Sequence, residues 1–163
     1  MSLPRPYPPA TYDGDGEVSA WMHRPGGEPD ITFPNGVRCE YLATGDQTAG
    51  RFGLYRWTFG EEVAGPGPHF HRTISEQFYV LSGEVEIYDG AQWRPCGPGD
   101  FAYVPEGGVH GFRGGGGASM LLMFAPGGPR EGYFEGLDAI ARGKQMDQAE
   151  FQAFLDLHDN HYF

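Results

Sequence analysis

The sequence predicts an all-β protein, a small barrel followed by a C-terminal helical segment, and two observations lead to this prediction. The 163 residues include 27 glycines and 14 prolines, which lie between short runs of strand-forming residues. Such a distribution indicates many tight turns between short strands. Near the C-terminus, the apolar residues change from the two-residue period of strands to the period of a helix. The length fits one domain with a sizeable core.

The first long strand-like run carries an aromatic stripe. Residues 51–59 place Tyr55, Trp57 and Phe59 on one face, which predicts barrel core, with a substrate platform as the alternative. The predicted strands are residues 37–43, 51–59, 76–81, 83–90, 101–104 and 119–124, with further strands carrying His69 and His110.

Two later runs differ in their pattern of burial. Residues 83–90 alternate polar with apolar side chains, so Val85 and Ile87 are expected to face the core. Residues 119–124 are almost all apolar and therefore predict a strand buried on both faces.

Two helices are predicted near the C-terminus. Gly143 marks the end of the first, and Asp147 with Glu150 resembles a capping box at the start of the second. The residues at helical spacing are Tyr133, Phe134, Leu137, Ile140 and Ala141 in the first helix, and Phe151, Phe154, Leu155 and His158 in the second.

These elements suggest three consecutive parts. We expect an extended, Pro-, Gly- and Asp-rich N-terminal arm in residues 1–34, a β-barrel in residues 35–128 and helices packed on the barrel in residues 129–163. A lid over the substrate is the alternative role for the helices.

The bulk composition excludes some classes of partner. Eleven basic and 22 acidic residues give a formal net charge of −11, which disfavours nucleic acid and anionic membrane surfaces. No run approaches the length of a membrane span, and the first residues lack the apolar stretch of a secretory signal. Cys39 and Cys96 form no Cys-x-x-Cys motif, so we expect reduced thiols in a cytoplasmic protein, with a disulfide left open.

The candidate site is a set of three histidines and one glutamate. His69 and His71 share one strand face, Glu76 follows after a four-residue connection, and His110 comes from a later strand. Side chains from separate strands converge when those strands line a small barrel. A His-x-His pair alone is usually an ordinary hydrogen-bonded pair, but the full set predicts a site for one divalent transition metal ion: Fe, Mn, Ni, Cu or Zn.

These residues resemble the first motif of the cupin superfamily. That motif runs glycine, five residues, His-x-His, three or four residues, glutamate, six residues and glycine. His69, His71, Glu76 and Gly83 match it, whereas Val63 stands at the position of the leading glycine.

A second cupin motif is matched further along the chain. It runs glycine, five residues, Pro-x-Gly, two residues, histidine, three residues and asparagine. Gly99, Pro105, Gly107 and His110 match it, and Gly114 replaces the asparagine. Residues 124–135 are also similar to the tail of single-domain, quercetin dioxygenase-like cupins.

The resemblance implies a double-stranded β-helix, the jelly-roll cupin barrel, with His69, His71, Glu76 and His110 as the metal ligands. It also implies a homodimer. In quercetin dioxygenase-like cupins the motif glutamate assists proton removal from the substrate hydroxyl, so Glu76 is a candidate catalytic residue, with a plain ligand as the alternative.

Three functions remain open. The resemblance favours a metal-dependent dioxygenase of a small aromatic or enolic substrate. A metal-dependent isomerase, cyclase or decarboxylase is the second, and a non-enzymatic small-molecule-binding cupin is the third. Strand parity nominates Phe78, Val80 and Phe112 as pocket walls.

Overall fold

A computed structural model describes residues 6–162 of the protein. The first five residues of the expected arm, and Phe163, lie outside the described residues. Residues 6–30 contain no strand or helix, and nearly all of them are exposed.

The described chain contains eleven strands and two helices. The strands are β1 (Ile31–Thr32), β2 (Arg38–Ala43), β3 (Gly53–Thr58), β4 (His69–Phe70), β5 (Ser75–Ser82), β6 (Val85–Tyr88), β7 (Trp93–Cys96), β8 (Phe101–Val104), β9 (Gly111–Gly114), β10 (Ser119–Ala125) and β11 (His161–Tyr162). The helices are α1 (Arg130–Ala141) and α2 (Gln148–Leu157). The prediction of an all-β protein with a C-terminal helical segment is confirmed; β1, β7 and β11 had not been predicted.

Two antiparallel sheets enclose the core. The larger sheet has the order β1-β2-β3-β10-β5-β8, the smaller has β7-β6-β9, and β11 pairs with β4. Phe112 of the smaller sheet packs against Trp57 and Phe78 of the larger one, with ring centroids 6.1 and 5.6 Å apart. The core therefore lies between the two sheets.

The aromatic stripe faces this core, as predicted. Tyr55, Trp57 and Phe59 are all buried, and so are Val85 and Ile87 from the opposite sheet. Trp57 also lines the cavity described below, so the alternative role as a substrate platform stays open for that residue.

The expectation of burial on both faces is wrong for β10. Leu122 and Phe124 are buried, but Leu121 and Met123, on the outer face, are only half-buried. Tyr79, Phe101 and Tyr103 on the same outer face are exposed. An apolar run of this length therefore belongs here to a sheet with one covered face.

The two helices pack against each other and against the barrel. Tyr133 of α1 stacks on Phe154 of α2 with ring centroids 5.5 Å apart, and the Tyr55 hydroxyl donates a 2.5 Å hydrogen bond to Glu131. The predicted capping box is present, and Gly143 adopts the left-handed backbone expected after a helix end. Phe151 does not share the buried face and is exposed. Neither helix is long and apolar enough to cross a membrane.

Candidate metal centre

The four predicted ligands meet inside the barrel. His69, His71, Glu76 and His110 are all buried, and one ligand atom from each lies within 4.8 Å of the others. His69 and His110 face each other across an antiparallel bridge, with reciprocal backbone hydrogen bonds of 2.8 and 2.9 Å. Such a directly opposed pair puts both side chains on the same side of the sheet.

The strand that carries the His-x-His pair is shorter than predicted. β4 ends at Phe70, and His71 lies just beyond it, with its carbonyl accepting a 2.7 Å hydrogen bond from the Gly107 amide. Its side chain still points the same way as that of His69. Glu76 faces inward from β5, in register with the buried Phe124 of β10.

Backbone carbonyls fix the orientation of all three imidazoles. A carbonyl oxygen can only accept, so each contacted Nδ1 carries a hydrogen and, in a neutral ring, Nε2 keeps a free lone pair. The Nδ1 contacts are His69 with Gly67 O at 2.9 Å, His71 with Asp159 O at 2.6 Å and His110 with Gly108 O at 2.9 Å.

The donor set fits a divalent metal ion. The Nε2 atoms of His71 and His110 lie 3.1 and 2.8 Å from Glu76 Oε2. Lone pairs directed at a carboxylate oxygen repel it unless a cation is shared between them. Two ligand atoms that are each about 2.1 Å from one ion and at right angles are about 3 Å apart. The four residues can therefore hold a metal ion.

Burial and mutual contacts set the charges of these ligands. Burial alone would raise the pKa of Glu76, but hydrogen bonds from His110 and His71 outweigh it and hold the pKa well below the usual range. Burial, with repulsion from His110, lowers the pKa of His69 to about 4. Burial also opposes the charge of His110, but its hydrogen bond to Glu76 prevails and raises the pKa. The proton that His110 shares with Glu76 thus lies where a bound metal ion would lie.

The segment after α2 completes the site, which the sequence pattern did not predict. The Asp159 carboxylate accepts hydrogen bonds from the Arg72 and Thr73 amides and from the Thr73 hydroxyl. It thereby fixes the connection between His71 and Glu76. β11 then pairs with β4, and the Tyr162 ring stacks on His69 with centroids 5.3 Å apart. The only available signal was an aspartate after a helix, which indicates a helix end and not a barrel contact.

An apolar cavity of about 280 Å³ adjoins the metal centre. His69 and Glu76 contribute to its lining, and its apolar wall includes Trp57, Phe112, Leu122, Phe124, Tyr133, Phe134 and Leu137. Among the nominated pocket residues, Phe112 belongs to this wall. Phe78 and Val80 are buried core residues outside the lining; Phe78 packs on the His110 ring at 6.0 Å.

Three side chains in the cavity lining carry an unsatisfied polar group. Arg130 at the start of α1 and Asn160 after α2 had not been nominated, whereas Trp57 belongs to the predicted aromatic stripe. Each has a buried polar atom without a hydrogen-bond partner: Nε of Arg130, Oδ1 of Asn160 and Nε1 of Trp57. The part of the cavity outside the metal centre is therefore apolar with a few unsatisfied polar groups, which is typical of a small-molecule site.

The two departures from the cupin motifs have local explanations. A Cβ atom on Gly114 would lie 2.8 Å from the Phe59 ring, so an asparagine does not fit without moving a core aromatic. Val63 is 72% exposed and lies outside the metal centre. Neither position belongs to the cluster of four ligands.

Comparisons with known proteins agree with this description. Residues 55–126 match the family model described as a cupin domain. Quercetin 2,3-dioxygenase of Bacillus subtilis (strain 168) is 33% identical over 81 residues, which cover 44% of this chain and 24% of that protein. The chain thus spans about a quarter of the length of this curated relative.

Two solved structures have the same fold. KdgF from Halomonas sp. aligns with a TM-score of 0.56 at 18% identity, over 66% of this chain and 94% of that chain. The polyketide cyclase RemF from Streptomyces resistomycificus aligns with a TM-score of 0.52 at 26% identity, over 66% of this chain and 81% of that chain. The expected jelly-roll barrel with C-terminal helices is confirmed, and the chain contains a cupin domain in residues 55–126.

Proposed function

We propose that this cupin is a metal-dependent dioxygenase that acts on a small aromatic or enolic substrate. The observation that carries the proposal is the buried cluster of three histidines and Glu76, two of whose members line an aromatic cavity. The similarity to quercetin 2,3-dioxygenase supports the same reaction class.

His69, His71, Glu76 and His110 would hold the metal ion. When bound, Fe, Mn, Ni, Cu or Zn supplies Lewis acidity, and the redox-active ions among them also supply one-electron chemistry with O₂. The lowered pKa of Glu76 favours its role as a ligand. Its second proposed role, accepting a proton from the substrate hydroxyl, requires the carboxylate to exchange one of its imidazole contacts for the substrate.

The cavity wall would position the substrate and exclude water. Trp57, Phe112 and Phe134 present aromatic surface to a planar ring or enediol. A volume of about 280 Å³ is at the lower limit for small-molecule sites, which favours a compact substrate.

A second function is supported by a separate observation. The polyketide cyclase RemF is 26% identical to this chain, and cyclase, isomerase or decarboxylase chemistry requires a Lewis acid without O₂. The same cavity and ligands would serve either reaction.

Oxygen dependence distinguishes the two functions. Metal-loaded protein would be incubated with a panel of aromatic and enolic compounds, in air and under strict anaerobiosis, while O₂ consumption and product formation are measured. The dioxygenase predicts O₂ uptake in proportion to substrate loss. Turnover without O₂ would contradict it and support the second function, and binding without turnover in both conditions would support a binding protein.

We also propose a homodimer formed through the outer face of the large sheet. Tyr79, Phe101 and Tyr103 are exposed and lie side by side on that face, next to Leu121. Two copies that each carry a charge of −11 would meet most readily at an uncharged surface. Sedimentation of the protein and of its Phe101→Glu variant would test this; an unchanged mass would contradict it.

A reducing, cytoplasmic environment is part of the proposal because Cys39 and Cys96 are both free thiols.

A further inference from the structure

Arg130 is a buried cation in the wall of the cavity. It is the first residue of α1, only 4% exposed, and its guanidinium lies over the rings of Phe124 and Tyr133 at 4.7 and 4.4 Å. The aromatic faces stabilise the cation and hold its plane in one orientation. The position of the guanidinium is therefore fixed before any ligand binds.

The guanidinium has few polar partners within the protein. Its Nη1 donates a 2.7 Å hydrogen bond to the His158 carbonyl, whereas Nε donates to nothing among residues 6–162. No carboxylate of the described chain lies within ion-pair distance. A guanidinium has five donors and stays charged, and buried charges normally have a counter-ion. Burial lowers the pKa of Arg130, so its surroundings disfavour the charge until an anion arrives.

Two other polar groups of the same cavity also lack partners. Trp57 Nε1 is a buried donor and Asn160 Oδ1 a buried acceptor, and neither makes a hydrogen bond among the described residues. The Glu76 carboxylate is already engaged by His71 and His110. The Trp57 and Asn160 side chains belong to the same cavity wall as Arg130, so this wall carries two unpaired donors and one unpaired acceptor.

We propose that the substrate carries a carboxylate that Arg130 binds, with the Trp57 indole as a further donor and Asn160 accepting from a substrate hydroxyl. The aromatic or enolic part of the substrate rests on the proposed function; the carboxylate rests on Arg130 and its neighbours alone. Arg130 is then a specificity-determining residue, and neutral analogues of the same shape leave its donors unpaired.

Matched pairs of small aromatic acids and amides test the proposal. The probes are salicylate with salicylamide and benzoate with benzamide, and their affinities for the metal-loaded protein would be measured by calorimetry. In each pair that binds, we expect the acid to bind about ten- to a hundredfold more tightly than the amide, because the acid forms a charge-assisted pair. If no acid binds more tightly than its amide, the proposal is wrong.

Variants separate Arg130 from the metal ion as the group that binds the carboxylate. Arg130→Met should remove the preference for acids, while Arg142→Met, which alters an exposed arginine just after the same helix, should keep it. Arg130→Lys, which keeps the charge but loses the fork of donors, should weaken acid binding and leave amide binding unchanged. A preference that persists in Arg130→Met would place the carboxylate on the metal and overturn the proposal. If Arg130→Met does not fold, the ratio of acid to amide affinity measured for Arg130→Lys decides in its place.

These measurements are independent of the reaction. The ratio of acid to amide affinity requires no turnover, so failure of the dioxygenase proposal would show as absent O₂ uptake with the ratio intact. Failure of the carboxylate proposal would show as a ratio near one, whether or not O₂ is consumed.

Discussion

The metal centre and the wall of the adjoining cavity differ in whether their buried polar groups have hydrogen-bond partners. At the metal centre, each imidazole Nδ1 contacts a backbone carbonyl, and Glu76 contacts two of the rings. In the wall, Arg130, Asn160 and Trp57 each keep one buried polar atom without a partner. The first region thus requires only a cation, whereas the second requires a ligand of matching shape and charge.

The largest effect should follow from removing metal ligands. In protein purified without chelators or affinity nickel, we expect about one equivalent of metal, and loss of nearly all of it in the double variant His69→Ala, His71→Ala, since two of four ligands are gone. Elemental analysis is the measurement. The His23→Ala variant, at an exposed histidine of the arm, should retain the metal. A full equivalent in the double variant would mean that the metal binds elsewhere.

The next effect concerns the residue that supports those ligands. Asp159→Gly suits the left-handed backbone at this position, with φ of 55°, and removes the hydrogen bonds to Arg72 and Thr73. We expect metal affinity to fall about ten- to a hundredfold, the usual effect of losing an outer-shell partner. Competition with a chromophoric chelator measures it, with the exposed Asp46→Gly as the control. Equal affinities for the two variants would show that this segment does not support the centre.

A smaller effect tests how tightly the barrel is packed. Gly114→Asn restores the motif residue but drives a Cβ into the Phe59 ring, so we expect a loss of about 1–3 kcal/mol in the free energy of unfolding. Val63→Gly restores the other motif residue at an exposed site and should change stability by less than about 0.5 kcal/mol. Denaturant unfolding measures both. A larger loss of stability for Val63→Gly than for Gly114→Asn would mean that packing does not explain why these residues depart from the cupin motifs.

The smallest effect is expected from the wall. If Arg130 serves a ligand and not the fold, Arg130→Met should change the free energy of unfolding of the ligand-free protein by less than about 1 kcal/mol, because an apolar side chain of similar length replaces an unpaired buried charge. Denaturant unfolding of ligand-free protein is again the measurement. A loss above about 3 kcal/mol, as for breaking a buried ion pair, would show that the guanidinium is structural.

Sequence reasoning predicted the first region and missed the second for a physical reason. The spacing of His69, His71 and Glu76 encodes strand parity and turn length, which are local properties. Asp159 and Arg130 reach the site only because the helices fold back onto the barrel, and no local pattern specifies that contact. The capping box at Asp147 predicted where α2 begins, but a cap carries no information about what the helix packs against.

The nominated pocket residues show a second limit. Strand parity placed Phe78, Val80 and Phe112 inside the barrel, and all three are buried. Only Phe112 lines the cavity, because whether an inward side chain meets another side chain or a void depends on packing from the opposite sheet. Strand parity therefore predicts which side chains point into the barrel, but not which of them line the cavity.

The hydrogen bond from His71 to Asp159 spans 88 positions of sequence, and this separation has a consequence for biosynthesis. A ribosome makes the barrel strands first, and α1 and α2 must follow before Asp159 exists. A nascent chain at the barrel stage can present all four ligands, but the ring of His71 lacks its backbone acceptor and can rotate. Metal captured at that stage would be held by an unfinished site, so stable metal loading should follow synthesis and docking of the segment after α2.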